Sequence, residues 1–379
     1  MEKKKICFIV ASPNTARSFL KEPFKLLSKN YDIYLVANIK ETDDLSDMCI
    51  TGYKSIPIES KPNIKVDFKA LSLLIKYFKE MKFDSVHSLT KKASLFTTIA
   101  GRLARIKFRL HHFTGQMWAT MRGIKRMFYK YMDLFIVLSE THMLVDGHSQ
   151  KEFLEKEHIL KKGQGTVLSN GSICGVNTLR FRKDITARDK IRSELNINDN
   201  SIIFIFLGRL KKDKGIYELL ASFNTIVQTS PDAILLLVGA DEEKCIDKLS
   251  NYPNLILNEN VISYGFTNAP EDLLNAADVY VLPTYREGFG LSILEASSIG
   301  LPVIVSDTYG VRDSIIDNET GLRCKTYDID SLVKCMKYLY DNPTERKRLG
   351  DNGIKYVNEK FTTEIVCKAW FDYYKNVVK

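Results

Sequence analysis

Short apolar runs alternate with amphipathic stretches along most of the chain. Lys5–Ala11 is a continuous apolar run, as expected of a strand buried on both faces of a parallel sheet. The spacing then predicts a helix over Phe19–Asn30, a strand Tyr31–Ala37, a helix Phe68–Met81, a strand Ser85–Ser88, a helix Ser94–Arg105 and a strand Lys107–His111. Phe135–Ser139 and Gly165–Ser169 read as the last strands of this half. Repeated strand-then-helix units imply parallel sheets with right-handed crossovers.

Asn170-Gly171-Ser172 reads as a turn and the charged stretch Arg180–Asp189 as a linker, after which the cycle restarts. Ser201–Leu207 is the strongest strand signal in the chain. Helix Gly215–Gln228, strand Ala233–Val238, helix Glu242–Ser250, strand Val261–Tyr264, helix Ala269–Ala276 and strand Val279–Leu282 follow. The pattern therefore predicts two doubly wound α/β domains, residues 1–172 and 173–360. Two such sheets leave a cleft at their carboxyl edges, where ligands of these folds bind. In Phe361–Lys379, the residues Trp370, Phe371, Tyr373, Tyr374 and Val377 recur at helical spacing and predict a packed terminal helix.

Composition narrows the class. A chain of 379 residues suits two domains, because single cores usually stop growing before that length. No stretch approaches the roughly 18 unbroken apolar residues of a membrane span. The seven cysteines are odd in number, scattered and never in a C-x-x-C pair, which favours reduced core residues and a cytosolic setting. The net charge of +9 is unevenly spread. Met1–Ile185 carries 32 Lys and Arg against 18 Asp and Glu, leaving −5 for the remainder. A basic first half implies an anionic partner surface, either lipid or nucleic acid.

The chemistry concentrates in two stretches of the second half. Gly208-Arg209-Leu210-Lys211-Lys212-Asp213-Lys214-Gly215 directly follows a strand, and a cation-rich loop there can neutralise a diphosphate leaving a sugar. Arg209 offers a planar fork and Lys214 a mobile point charge. In Glu287-Gly288-Phe289-Gly290-Leu291-Ser292-Ile293-Leu294-Glu295 a glycine loop precedes a helix. The amides of Gly290 and Leu291 then face outward at the positive end of the helix dipole. Glu295 falls one turn inside, where a carboxylate can grip a sugar diol. Each stretch alone also fits a solvated loop, and the two at this separation support each other. Asp328-Ile329-Asp330 has the D-x-D form of metal-dependent transferases, but a helix starts immediately after it. It is read as an N-cap, and no metal or other cofactor is expected.

The two stretches together resemble the G-R-x4-K-G and E-x7-E elements of the family 4 glycosyltransferases. That resemblance implies the GT-B fold, in which two Rossmann-like domains face each other and a terminal helix, here 361–379, crosses back to the first domain. It implies a retaining transfer from a nucleotide sugar. Arg209 and Lys214 would stabilise the departing diphosphate and Glu287 would orient sugar hydroxyls. Gly208, Phe289, Gly290 and Leu291 would surround the phosphates, and Glu295 would hold the ribose. Val238-Gly239-Ala240 and Tyr264-Gly265-Phe266-Thr267 match the loops that flank the nucleobase, so Gly239, Phe266 and Thr267 join the site. Asp278 matches a structural A-D-V step. The chain departs from the family in Thr114, where many relatives carry a His, and in Ser12-Pro13-Asn14-Thr15, where many carry two glycines.

The acceptor is expected on the first half, at Lys91, His112, Gln116 and Trp118, with His111 beside them, in loops that follow strands. Met121–Tyr131 interleaves bases with Met127, Phe128 and Tyr131, a composition suited to a helix resting on anionic lipid; no nucleic-acid reading motif accompanies it. The expected product is a bacterial surface polysaccharide or lipid-linked oligosaccharide, made at the inner face of the plasma membrane by a peripheral enzyme. An N-acetylhexosamine on UDP is the favoured donor. A nucleotide-sugar epimerase of the same architecture and a non-enzymatic basic scaffold remain as alternatives.

Overall fold

The computed structural model describes residues 2–59 and 62–378. The chain folds into two compact units, Met1–Gly175 with Thr363–Lys379, and Val176–Thr362. The first contains β1 (Lys4–Ile9), α1 (Pro13–Phe19), α2 (Lys21–Leu27), β2 (Tyr31–Ala37), β3 (Gly52–Ser55), α3 (Ile64–Met81), β4 (Ser85–Ser88), α4 (Lys91–Leu103), β5 (Phe108–Phe113), α5 (Gly123–Ser139), β6 (His142–Val145), α6 (His148–Lys156) and β7 (Thr166–Val167). The sheet is parallel in the order β3-β2-β1-β4-β5-β6-β7, so the winding reverses between β1 and β4.

The second unit contains α7 (Ile185–Glu194), β8 (Ile202–Leu207), α8 (Ile216–Ile226), β9 (Ala233–Val238), β10 (Val261–Gly265), α9 (Pro270–Ala276), β11 (Val279–Leu282), α10 (Leu291–Ile299), β12 (Val303–Ser306), β13 (Gly321–Cys324), α11 (Ile329–Asp341) and α12 (Pro343–Lys360). Its parallel order is β10-β9-β8-β11-β12-β13, with the reversal between β8 and β11. Every residue of β9 is buried, which explains why its sequence is wholly apolar rather than alternating. Asp278 justifies the structural role implied for it. Its carboxylate takes Arg188 at 2.7 Å, Arg192 at 2.9 Å and the Ile203 amide at 2.8 Å, fixing the start of β8 beside β11.

The chain's last helix, α13 (Thr363–Val377), packs on α2 of the first unit. Trp370 and Tyr374 are fully buried there; the Trp370 indole donates to the Ile173 carbonyl at 2.7 Å, and its ring stacks 5.2 Å from His87. His87 Nδ1 lies 2.6 Å from the Tyr374 hydroxyl, and desolvation holds this imidazole well below its ordinary pKa.

Several expected elements differ. Phe135–Ser139 is the last turn and a half of α5 and not a strand. Ile136 and Val137 face inward while Phe135 and Leu138 stay exposed, the helical pattern that a run of four apolar residues hides. The strand comes next, at β6, after Glu140 turns extended. Of the expected helix Phe19–Asn30, only Lys21–Leu27 forms α2, and a separate helix, α1, precedes it across Leu20. Glu242–Ser250 supplies only a 3₁₀ turn, Ile246–Asn251. The Arg180–Asp189 stretch is no free linker: Asp184 caps α7, and the Asp184 amide and the Arg182 carbonyl both bond to Asn275. Asp328 caps α11 by accepting from the Ser331 amide at 2.8 Å.

Candidate functional site

The carboxyl ends of β8 and β11 adjoin at the reversal of the second sheet, where doubly wound folds bind ligands. The loop after β8 carries Arg209 and Lys214 and closes at Gly215, in the left-handed conformation at φ 73°. A Cβ on Gly215 would lie 1.9 Å from the Pro283 carbonyl oxygen, so only glycine lets the cation loop seat against the end of β11. Hydrogen bonds then stitch the two loops. The Tyr285 amide donates to the Asp213 carbonyl at 2.9 Å and the Thr284 hydroxyl to the same oxygen at 3.1 Å. Arg286 pairs with the Asp213 carboxylate at 2.6 Å, and Lys211 lies 3.3 Å from it.

This stitching brings together the residues that the sequence had placed 73 positions apart. Lys214 bonds directly to Glu287, both largely shielded from solvent. Arg209 is more open, its side chain 54% exposed, and its guanidinium contacts Glu242 at 3.3 Å. Gly239, at the end of β9, presses backbone to backbone on Gly208, since a Cβ there would sit 1.9 Å from the Gly208 carbonyl oxygen. Asp213 and Arg286, the strut of these loops, were missed from the sequence; a carboxylate inside a cation-rich loop and an arginine just before Glu287 are the signal that was available.

Gly290 begins α10 in the left-handed region at φ 84°, so the amides of Leu291 and Ser292 open onto the helix's positive end. Glu295 lies one turn in, half-buried. Burial pushes its carboxyl up to about 7, opposed by the positive charge of Arg180 and reinforced by Glu271. Phe266 projects 74% exposed after β10, and the Thr267 hydroxyl accepts from the Ala269 amide at 3.0 Å. The Phe289 side chain is 4% exposed and packs 5.4 Å from Phe361, leaving its backbone for a ligand.

The acceptor assignments change more. β5 runs on to Phe113, so His111 and His112 lie inside the sheet and not in the loop after it. His111 is buried with its imidazole pushed down to about 3, and His112 is buried with Nε2 3.0 Å from Asp146. Gln116 is buried and accepts from Gln150 at 3.2 Å. Trp118 is fully buried; its indole donates to Asp133 at 2.6 Å and its ring stacks on Phe153. All four residues are thus buried in the interior of the first unit. Lys91 is half-buried, its ammonium shielded from solvent 4.5 Å above the Tyr129 ring.

Residues 187–356 match the model of the family described as glycosyl transferases group 1. The capsular polysaccharide biosynthesis glycosyltransferase CapM of Staphylococcus aureus is 30% identical over 359 residues, covering 93% of this chain and 92% of that protein. The chain belongs to the group 1 glycosyl transferases. A second relative of this family, the UDP-Gal:alpha-D-GlcNAc-diphosphoundecaprenol alpha-1,3-galactosyltransferase of Escherichia coli, is 30% identical over 330 residues, 85% of this chain and 83% of that one. The sucrose-phosphate synthase of Thermosynechococcus elongatus superposes at a TM-score of 0.82 and 20% identity, covering 99% of both chains. The group 1 transferase described here thus has the GT-B fold, and it is a glycosyltransferase.

Proposed function

We propose that this group 1 transferase moves a sugar, with its anomeric configuration retained, from a uridine diphosphate donor to a polyprenyl-diphosphate-linked glycan of surface polysaccharide synthesis. The observation that carries the reading is the Lys214–Glu287 pair at the β8/β11 reversal, Lys214 being in the same loop as Arg209. Cations for a leaving diphosphate and a carboxylate for sugar hydroxyls sit within one stitched pair of loops. The relatives' names support the donor and acceptor classes, since one is a UDP-Gal transferase acting on a diphosphoundecaprenol-linked sugar.

In this reading the bond from the anomeric carbon to the β-phosphate oxygen breaks while Arg209 and Lys214 take up the developing charge. The first amides of α10 assist. The acceptor hydroxyl forms its new bond from the same face, and its proton passes to an oxygen of the departing phosphate, so no side-chain nucleophile is needed. Glu287 orients the sugar, Glu295 holds the ribose, and Gly239, Phe266 and Thr267 border the base. The test is transfer from UDP-N-acetylhexosamines and UDP-galactose to an undecaprenyl-diphosphate-linked monosaccharide, with NMR of the new linkage. An inverted product, or hydrolysis without transfer, removes the reading.

The first unit supplies a surface for the lipid. Among the described residues no helix is long and apolar enough to cross a membrane. On α5, however, Ile124, Phe128, Tyr131, Phe135 and Leu138 form one outward stripe, exposed at 85, 64, 62, 42 and 70%. Arg122 and Lys125 lie exposed at its start. An apolar stripe with adjacent bases suits an anionic lipid surface. Phe128→Ser with Leu138→Ser is expected to lower binding to phosphatidylglycerol vesicles at least tenfold, the result of removing two insertable side chains worth roughly 1.5 kcal/mol or more each. Co-sedimentation measures it, and undiminished binding would assign the membrane contact to another surface.

A further inference from the structure

Arg180 lies outside every motif described from the sequence, in the turn Asn177–Phe181 by which the chain enters the second unit. The Asn177 side chain accepts from the amides of Leu179 and Arg180, each at 3.1 Å, and so shapes the turn. Phe181 is buried, and the Ser298 hydroxyl of α10 donates to its carbonyl at 2.6 Å. Ser298 is three residues beyond Glu295, so the turn lies along the helix face that carries that carboxylate.

The guanidinium reaches two other elements. Its Nε and Nη2 donate to Glu271 of α9 at 2.8 and 2.7 Å, and Nη2 also donates to the Asn268 carbonyl at 2.7 Å, in the loop after β10. A planar fork can make these bonds together, which a lysine cannot. The same cation acts on Glu295.

We propose that Arg180 is a positioning residue of the nucleotide site, tying the loop after β10 to α9 while its charge holds Glu295 ready for the cis-diol of a nucleoside. The inference rests on the donor reading above. The charged and titratable groups around Glu295 are Arg180 from the entry turn and Glu271 from α9, while Asp272 of α9 acts on Arg180 and Glu295 in turn acts on Tyr280 of β11. Arg180 is the one that favours the ionised form of Glu295. Ribose hydroxyls donate to a carboxylate, so binding also favours that form. Nucleotide affinity therefore rises with pH through about 7, where the Glu295 carboxyl ionises, and levels off above it.

Two measurements on the full chain test this: the Glu295 carboxyl titration by ¹³C NMR without ligand, and calorimetric UDP affinity from pH 5.5 to 8.5. Arg180→Ala is expected to move the Glu295 midpoint upward by about one pH unit and to weaken UDP binding at pH 7 roughly tenfold. Arg180→Lys should restore the midpoint but not the full affinity, because it keeps the charge and loses the fork. An unmoved midpoint in Arg180→Ala overturns the inference whatever happens to UDP. A midpoint that moves in a protein that binds no UDP at any pH supports the hold of Arg180 on Glu295 and removes the donor reading alone.

Discussion

Lys214→Ala is expected to lower sugar-transfer turnover by roughly 10²–10³-fold while leaving the fold intact, the usual result of deleting one preorganised charge from a developing oxyanion. The residue sits one position before Gly215, where the backbone is pinned against Pro283 and stitched through Asp213 to Thr284, Tyr285 and Arg286. Its ammonium therefore needs little reorganisation when charge builds on the leaving phosphate. A competing explanation is that Lys214 only props Glu287, its partner in the ion pair. Single-turnover kinetics separate the two. If Lys214 acts on phosphate, Lys214→Met loses both turnover and UDP affinity and Glu287→Gln leaves UDP affinity nearly intact. If it is a prop, the two variants lose the same quantities, and the role in leaving-group stabilisation falls.

Trp370→Ala is expected to destabilise the first unit by about 4 kcal/mol, within the range for deleting a large buried aromatic. The side chain lies against Phe8 and His87, with His112 5.5 Å away, and no solvent reaches it. Its loss also strips the Ile173 carbonyl of a buried donor. The melting temperature of that unit should fall by on the order of 10 °C, read by calorimetry, with exposed Lys368→Ala as a near-neutral control. A fall of only one or two degrees would mean that α13 is dispensable to the unit's core.

Sequence patterning revealed the parts whose burial is one-sided or complete. Ser201–Leu207 and Ala233–Val238 are central strands and read as such because both faces are covered. Lys214 and Glu287 could be named together because the two motifs that contain them stand at the separation the resemblance requires, and the fold pairs them. What stayed hidden depends on distance along the chain. Val303–Ser306 and Gly321–Cys324, strands of four residues each, went unread. Phe135–Ser139 looked like a strand because four apolar residues in a row fit either period, and its exposed half completes the stripe on α5. Extending β5 by two residues beyond His111 turned His112 from a loop residue into sheet interior. Arg180 and Arg286 act through partners 91 and 73 residues away, a pairing that no local spacing encodes.

The second unit is inserted between Gly175 and Thr363 of the first, and its two ends lie side by side, the Val176 amide donating to the Phe361 carbonyl at 2.8 Å. On the ribosome this arrangement separates the two foldings in time. Residues 176–362 emerge as an uninterrupted block that can close on itself, but the first unit must wait for its final helix. At about 5–20 residues per second the wait lasts roughly 10–40 s. Throughout it Phe8, His87 and His112 lack the Trp370 and Tyr374 rings that later cover them. The nascent chain is therefore most exposed to chaperones, and to aggregation, in the half made first.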